Sequence, residues 1–450
     1  MVAKGDRDPV GLQKHREAQG PARSSRVTSR FMRIALLTFG SRGDVQPFAI
    51  VGDALRARGH QVCLLASRDQ TPFAERCGLQ TRALPVDAKA ILESERGQHL
   101  LRNGHLLRFG ALLKEQTAGV IDDVVPVFAE AVRDADVVAV HLLLLPYAMA
   151  LAEHHRLVRV FTAPMVPTSA FASPLFGRAQ LGPFNRASHG LLDRMGWWVA
   201  RDAAIASAHF ASRPVPVQCF ARAEAAGMPA VDIVSPTIVP RPDDAPAAHV
   251  FTGDLRMSAE LRARLGEATR DAALEKFLDG ADPPVFFGFG SMPVADPAAT
   301  LALVAEVARS LGVRALLGAG WSALPPGEHD GGRVFVTGAL DHDAVLPRCR
   351  AAVHHGGAGT THTALRAGLC SVVCSFLMDQ PWWADLLIGH GVGAKLPFPK
   401  LSAARLARAL RPLLTDEAQG RARALAARMK VEDGVAVAVE VIERAARTAS

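Results

Sequence analysis

At 450 residues, with 49% hydrophobic and 21% charged side chains, the chain is too long for one ordinary core and has a globular, not a disordered, composition. Its formal charge of +7 invites a nucleic-acid partner, but residues 1–30 alone carry seven Lys and Arg against three acids, and the body has no dense basic stripe interleaved with aromatics. Six cysteines without CxxC pairing argue against a disulfide or zinc framework, and the longest apolar stretch, Val137 to Ala152, contains His141 and Pro146 and falls short of a membrane span. These features describe a cytoplasmic protein, monomer or homodimer, with no nucleic-acid partner and at most peripheral membrane contact.

Residues 1–31 read as a disordered basic tail ahead of an internal start near Met32, with an Arg-rich transit peptide as the alternative. Arg33–Thr38 is a short apolar run suited to a buried parallel strand. It enters the glycine turn Phe39-Gly-Ser-Arg-Gly-Asp44, then a helical pattern from Val45 to Arg58 ended by Gly59, then a strand at Gln61–Leu65. That is the βαβ unit of a doubly wound sheet. Further strands fit at 79–84, 136–140 and 157–161, with helices at 117–133 and 146–154. From Phe161 to about Met228 the pattern loosens into Pro-rich loops and helices bearing Phe171, Phe176, Phe184, Trp197 and Trp198. Pro236, Pro240, Pro242 and Pro246 mark 236–250 as a linker. Strands then fit at 284–289, 313–318, 333–336, 350–354 and 371–375, with helices at 297–311, 360–367, 381–390 and 402–414. The expected α/β architecture is two Rossmann-like domains, 32–235 and 251–434, facing each other across a cleft, with a helix at 435–450 returning to the first.

The strongest motif is Val353-His354-His355-Gly356-Gly357-Ala358-Gly359-Thr360-Thr361. A strand enters a glycine turn and a helix is expected from Thr360, so free backbone N–H groups gather at a helix N-terminus, a ready anion site. A strain-relieving turn would explain the glycines but not two histidines beside hydroxyls, so phosphate binding is favoured. Twenty-four residues beyond His355, Asp379 and Gln380 place a carboxylate and an amide where they can hold vicinal hydroxyls of a hexose. Alone, Asp-Gln-Pro would read as a helix N-cap.

His355 to Thr361 followed by Asp379-Gln380 resembles the donor signature of GT-B glycosyltransferases, in the variant of bacterial natural-product and sterol enzymes. Gly40-Ser-Arg-Gly-Asp-Val-Gln-Pro47 and Phe289-Gly-Ser-Met292 are two further hallmarks. The resemblance implies that Asp44 is the general base, although the bare residues favour a helix cap there. It implies that Ser291, His355, Gly357, Gly359, Thr360 and Gly43 meet the donor diphosphate, so that no metal or cofactor is required. Trp321 and Leu340 fall in the region of the nucleotide base, with core packing equally weighted for Trp321. His141, Phe171 and Trp197 fall in the acceptor region, where a satisfied core histidine is the stronger reading of His141. Thr363 stands where plant-like relatives carry a ribose-gripping acid, leaving uridine against thymidine open. Cys370 replaces a usual proline.

The expected activity is inverting, metal-independent transfer of a hexose, with UDP-glucose the first choice of donor, onto a hydroxyl of a sterol, macrolide or other polyketide. Asp341-His-Asp343 matches the DxD metal signature, but Asp6-Arg-Asp8 and Asp134-Ala-Asp136 match it too, so the pattern carries no weight. A sugar-nucleotide epimerase would not need the aromatic 161–228 segment, and a catalytically silent partner protein would not need both Asp44 and His355.

Overall fold

A computed structural model describes residues 31–447 apart from 104, 213, 267–270, 290–295, 321–323 and 339. The basic tail at 1–30, Ser291 and Trp321 lie outside the described residues. The first sheet holds β1 (Arg33–Leu37), β2 (Gln61–Ser67), β3 (Gln80–Leu84), β4 (Val137–His141), β5 (Arg156–Phe161), β6 (Ala230–Asp232) and β7 (His249–Phe251), all parallel, in the order β3-β2-β1-β4-β5-β6-β7. The second holds β8 (Val285–Gly288), β9 (Ala315–Gly318), β10 (Gly327–His329), β11 (Val334–Thr337), β12 (Ala351–His354), β13 (Cys370–Val373) and β14 (Gly393–Lys395). Its order is β10-β11-β9-β8-β12-β13-β14, with β10 alone antiparallel. β4, β8, β11, β12 and β13 are buried at every position, which is why they read as unbroken apolar runs: helices cover both faces of a parallel sheet.

Two boundaries differ from expectation. The Pro-rich stretch 236–250 joins β6 to β7, neighbours in the first sheet, so the chain passes to the second sheet only beyond Phe251. A three-residue strand is too short to show a period, whereas its prolines mark any exposed connection. The phosphate-turn helix spans Ala358–Arg366, two residues earlier than expected, because Gly357 itself takes the N-cap conformation. The last helix, Gly434–Arg447, buries Ala438, Val439 and Ile442 against Val45, Ala49 and Leu55 of the first domain.

The two halves share an extensive junction. Phe171 meets the edge of Trp382 at 5.6 Å, and the Trp382 indole donates to the Ala172 carbonyl at 3.1 Å. Leu377 packs among Ile91, Leu100, Leu101, Phe109 and Leu112 of first-domain helices. The helix Ala358–Arg366 is held twice: the Ser235 amide donates to His362 Nε2 at 3.2 Å, and Arg366 pairs with Asp254 and Asp343.

At the edge of the first sheet, the buried His249 lies between Asp232 (2.6 Å) and Glu224 (2.7 Å), with Arg159 also paired to Glu224. Burial opposes protonation of His249, but the two carboxylates outweigh it and raise its pKa. His249→Ala leaves Asp232 buried without its cation and should cost about 3–5 kcal/mol. A raised imidazole contributes most below its unfolded value and loses that contribution as pH rises through the folded one. The stability gap between wild type and variant, measured by denaturant titration, should therefore be widest under mildly acidic conditions and shrink at alkaline pH.

Candidate active site

In an open α/β sheet, ligands gather beyond the C-terminal strand ends, where the strand order reverses. In the first sheet that point lies between β1 and β4, and in the second between β8 and β12. Asp44 follows β1, His141 ends β4, Gly288 ends β8, and His354 and His355 end β12. Topology alone thus converges the sequence-predicted groups.

Asp44 sits in the first turn of the helix Arg42–Ala57, whose N-cap is Ser41. One carboxylate oxygen, Oδ2, accepts from the Ser41 amide at 2.8 Å and the Ser41 hydroxyl at 3.1 Å. The cap reading therefore holds, through a reciprocal capping box and not through Asp44 as the cap itself. Gly40 is required beside it: its φ is +135°, and a Cβ there would fall 2.2 Å from Oδ2. The other oxygen, Oδ1, faces His141 Nε2 at 3.8 Å, too long for a hydrogen bond. His141 is buried against the Phe48 ring, and its Nδ1 has no partner, so it is not the satisfied core histidine expected. Burial lowers its pKa against the opposing charge of Asp44, which keeps the ring neutral.

The two histidines of β12 divide their tasks. His354 is fully buried and its Nδ1 accepts from the Gly356 amide at 3.1 Å, bracing the turn. Burial pushes it down to about 3. His355 is half-buried, with Nε2 so close to Gly357 that a Cβ there would lie 2.5 Å away. Burial pushes it down to about 4, with the Gly288 carbonyl opposing. Gly356 has φ +92°, and a Cβ on it would strike Val373 at 2.5 Å. Gly357 brings no capping side chain, so the amides of Ala358, Gly359 and Thr360 are donors the helix leaves open. The Thr361 hydroxyl donates back to the Gly357 carbonyl at 2.9 Å, so its proton is spent within the fold.

Asp379 occupies the N-cap position of the helix Gln380–Gly389 but makes no capping bond. Its Oδ2 instead accepts from the Trp383 indole at 2.8 Å. Met378 before it has φ +63°, an uncommon conformation outside glycine. Burial pushes Asp379 up to about 6, the Trp383 bond opposes, and the negative charge of Asp44 adds to the rise. The two carboxylates thus feel each other across the domain junction. Gln380 behaves differently: its Oε1 accepts from the Phe376 amide at 2.8 Å inside the fold, so that oxygen shapes the loop.

Other expectations are redistributed. The Gly43 amide is exposed and spent on the Ser41 hydroxyl at 3.3 Å. Leu340 packs with Phe286 and Phe335 in the second-domain core, and Phe171 lies in the domain junction against Trp382. Trp197 packs partly buried on the first-domain core. Asp341 caps its own helix through the amides of Asp343 (3.0 Å) and Ala344 (3.2 Å), while Asp343 pairs with Arg262 and Arg366. Sequence reading missed Trp383, whose i+4 spacing from Asp379 was the available signal, and His362, whose partner Ser235 is remote in the chain.

Residues 34–168 match the glycosyltransferase family 28 N-terminal domain, and residues 324–444 match the erythromycin biosynthesis protein CIII-like C-terminal domain. The chain is 32% identical to O-mycaminosyltylonolide 6-deoxyallosyltransferase of Streptomyces fradiae, over 93% of this chain and 98% of that one. It is 29% identical to sterol 3-beta-glucosyltransferase UGT80A2 of Arabidopsis thaliana, over 91% of this chain but only 65% of that longer protein. The fold matches the glycosyltransferase SsfS6 of Streptomyces sp. SF2575, solved with thymidine diphosphate, at a TM-score of 0.58 and 20% identity, over 92% of this chain and 99% of that one. The chain belongs to the GT-B glycosyltransferases.

The raised Asp379 makes a testable cost. A carboxyl whose folded pKa lies above its unfolded value destabilises the fold as pH rises through that range. Asp379→Asn keeps an acceptor for Trp383 and removes the charge. Denaturation midpoints should show the variant more stable than wild type at pH 8, by about 3 kcal/mol, and level with it near pH 4.

Proposed function

We propose that this chain is an inverting transferase that moves a hexose from a nucleotide diphosphate sugar to a hydroxyl of a hydrophobic small molecule, without a metal. The observation that carries the reading is that Asp44 and Asp379 influence each other across the junction beside helix N-terminal amides that no side chain caps. The acceptor hydroxyl attacks the anomeric carbon as the bond from that carbon to the phosphate oxygen breaks. Asp44 takes the hydroxyl proton on Oδ1, the oxygen not engaged by Ser41. The leaving diphosphate is met by the amides of Ala358, Gly359 and Thr360, with His355 and Ser291 as further donors. His355 is neutral in the empty site, and an anion beside it favours its protonated, donating form. Asp379 holds sugar hydroxyls with the oxygen left after Trp383, and the Gln380 amide nitrogen is the second candidate. A neutral His141 behind Asp44 keeps the base from being neutralised in advance.

UDP-glucose remains the first choice of donor. A glucosyltransferase and a deoxyallosyltransferase both stand among the relatives, and Thr363 bonds its own helix at the Gly359 carbonyl (2.9 Å), so a thymidine nucleotide is the alternative. A sterol, macrolide or other polyketide is the acceptor class.

Removing a general base slows proton transfer by about 10²–10⁴-fold. Asp44→Asn should show that loss in nucleotide diphosphate release, while calorimetry finds its nucleotide affinity nearly intact; near-wild-type turnover would remove Asp44 from the mechanism. His355→Ala removes a charge-assisted donor worth roughly 1.5–3 kcal/mol, so nucleotide diphosphate should bind about one to two orders of magnitude more weakly. Transfer should persist in EDTA, and strict dependence on manganese or magnesium would overturn the metal-free reading.

A further inference from the structure

The helix Asn185–Ala206 carries an apolar line that the first-domain core does not use. Phe184, just before the helix, and Leu191, Trp198 and Ile205 on it recur at intervals of seven, so they share one face. Phe184 is 69% exposed, Leu191 37% and Ile205 78%. Trp198 lies between them, its ring against Gly110 and beneath the Lys114 ammonium at 5.4 Å. The contacts Gly110–Trp198 and Lys114–Asp202 advance together, so the helix Leu106–Ala118 runs parallel alongside and brings Leu107, 67% exposed, to the same flank.

This flank is also basic. Arg194 and Arg201 are exposed next to the apolar line and Arg108 extends from the neighbouring helix. Among the described residues, Arg108 and Arg194 have no acidic partner. The acids nearby are accounted for: Asp202 lies between Lys114 (2.8 Å) and Arg201 (3.2 Å), and Asp193 turns inward to the amides of Phe220 (2.6 Å) and Ala221 (2.9 Å). Apolar side chains, a tryptophan and Arg194, with Arg108 beside them on the neighbouring helix, suit the headgroup boundary of an anionic bilayer. A second copy of the chain fits poorly. In heptad terms the apolar line fills one core position, while the other would hold Arg194 and Arg201, which repel across a coiled-coil seam.

We infer that the face formed by Leu107, Leu191, Arg194, Arg201 and Ile205 docks the protein on an anionic lipid surface. Its position gives docking a purpose, on the reading that the acceptor is hydrophobic. The opposite side of the helix Leu106–Ala118 presents Phe109 and Leu112 to Leu377, two residues before Asp379. The docking face therefore lies one helix away from the catalytic crevice, where an apolar acceptor leaving the bilayer has little water to cross.

Co-sedimentation of the full chain with phosphatidylcholine vesicles, with and without phosphatidylglycerol, tests this directly. Binding should require the anionic lipid and weaken with salt. Leu191→Ser/Ile205→Ser and Arg194→Glu/Arg201→Glu should each lower vesicle affinity by about tenfold or more, with circular dichroism and transfer to a water-soluble acceptor unchanged. Because sedimentation does not depend on turnover, it separates this inference from the assignment of the reaction. Absence of binding to anionic vesicles overturns the inference. So does undiminished binding by both variants, which would place attraction in the basic tail, and so does a concentration-dependent dimer that the same variants dissociate.

Discussion

Asp44 of the first domain and Asp379 of the second are close enough that the charge of one adds to the raised pKa of the other, and each is held in place by its own neighbours. Two nearby carboxylates repel, and the charge of Asp44 reinforces the burial that lifts Asp379 to about 6. Each is therefore pinned by one oxygen: Asp44 by the Ser41 amide and hydroxyl, Asp379 by the Trp383 indole. Pinning one oxygen fixes the direction of the other.

The anion site solves the complementary problem with little formal charge. Both β12 histidines are driven neutral by burial, to about 3 and 4, so the empty turn offers dipoles and open amides in place of fixed cations. Three devices hold that turn open: a glycine at φ +92°, a glycine cap without a side chain, and a buried histidine accepting from the Gly356 amide.

What could be read in the sequence follows from where each signal is stored. β1, β4, β8, β9, β11, β12 and β13 announce themselves because burial on both faces demands nearly unbroken apolar residues. Asp44 and the His355 turn were legible because glycines with obligatory geometry adjoin polar groups at strand ends. β6, β7, β10 and β14 were not, since three residues carry no period. Gln380 and Phe171 hid their internal partners for a different reason. Their chemistry suits a ligand, yet Phe376 and Trp382 claim them first, and competition between internal partners is a property of packing. The docking face was hidden likewise: its aromatic residues looked like acceptor contacts until the fold turned Phe184 outward.

The junction also decides how far the two domains can act as separate bodies. The helix that ends the anion site is tied at His362 to Ser235, which directly follows the first sheet's β6 region, and at Arg366 to Asp254, just beyond β7. Burial lowers Arg366 to about 10, so its pair with Asp254 has lost much of its water. Breaking such a pair by mutation of one member is costly, because the survivor is left charged and poorly solvated. Opening the cleft at this end would expose both groups together, whereas opening it at Leu377 would release apolar contacts with Phe109 and Leu112. The junction is thus ionic at one end and apolar at the other. The helix Leu106–Ala118 serves both sides, turning Phe109 and Leu112 toward Leu377 and Leu107 outward.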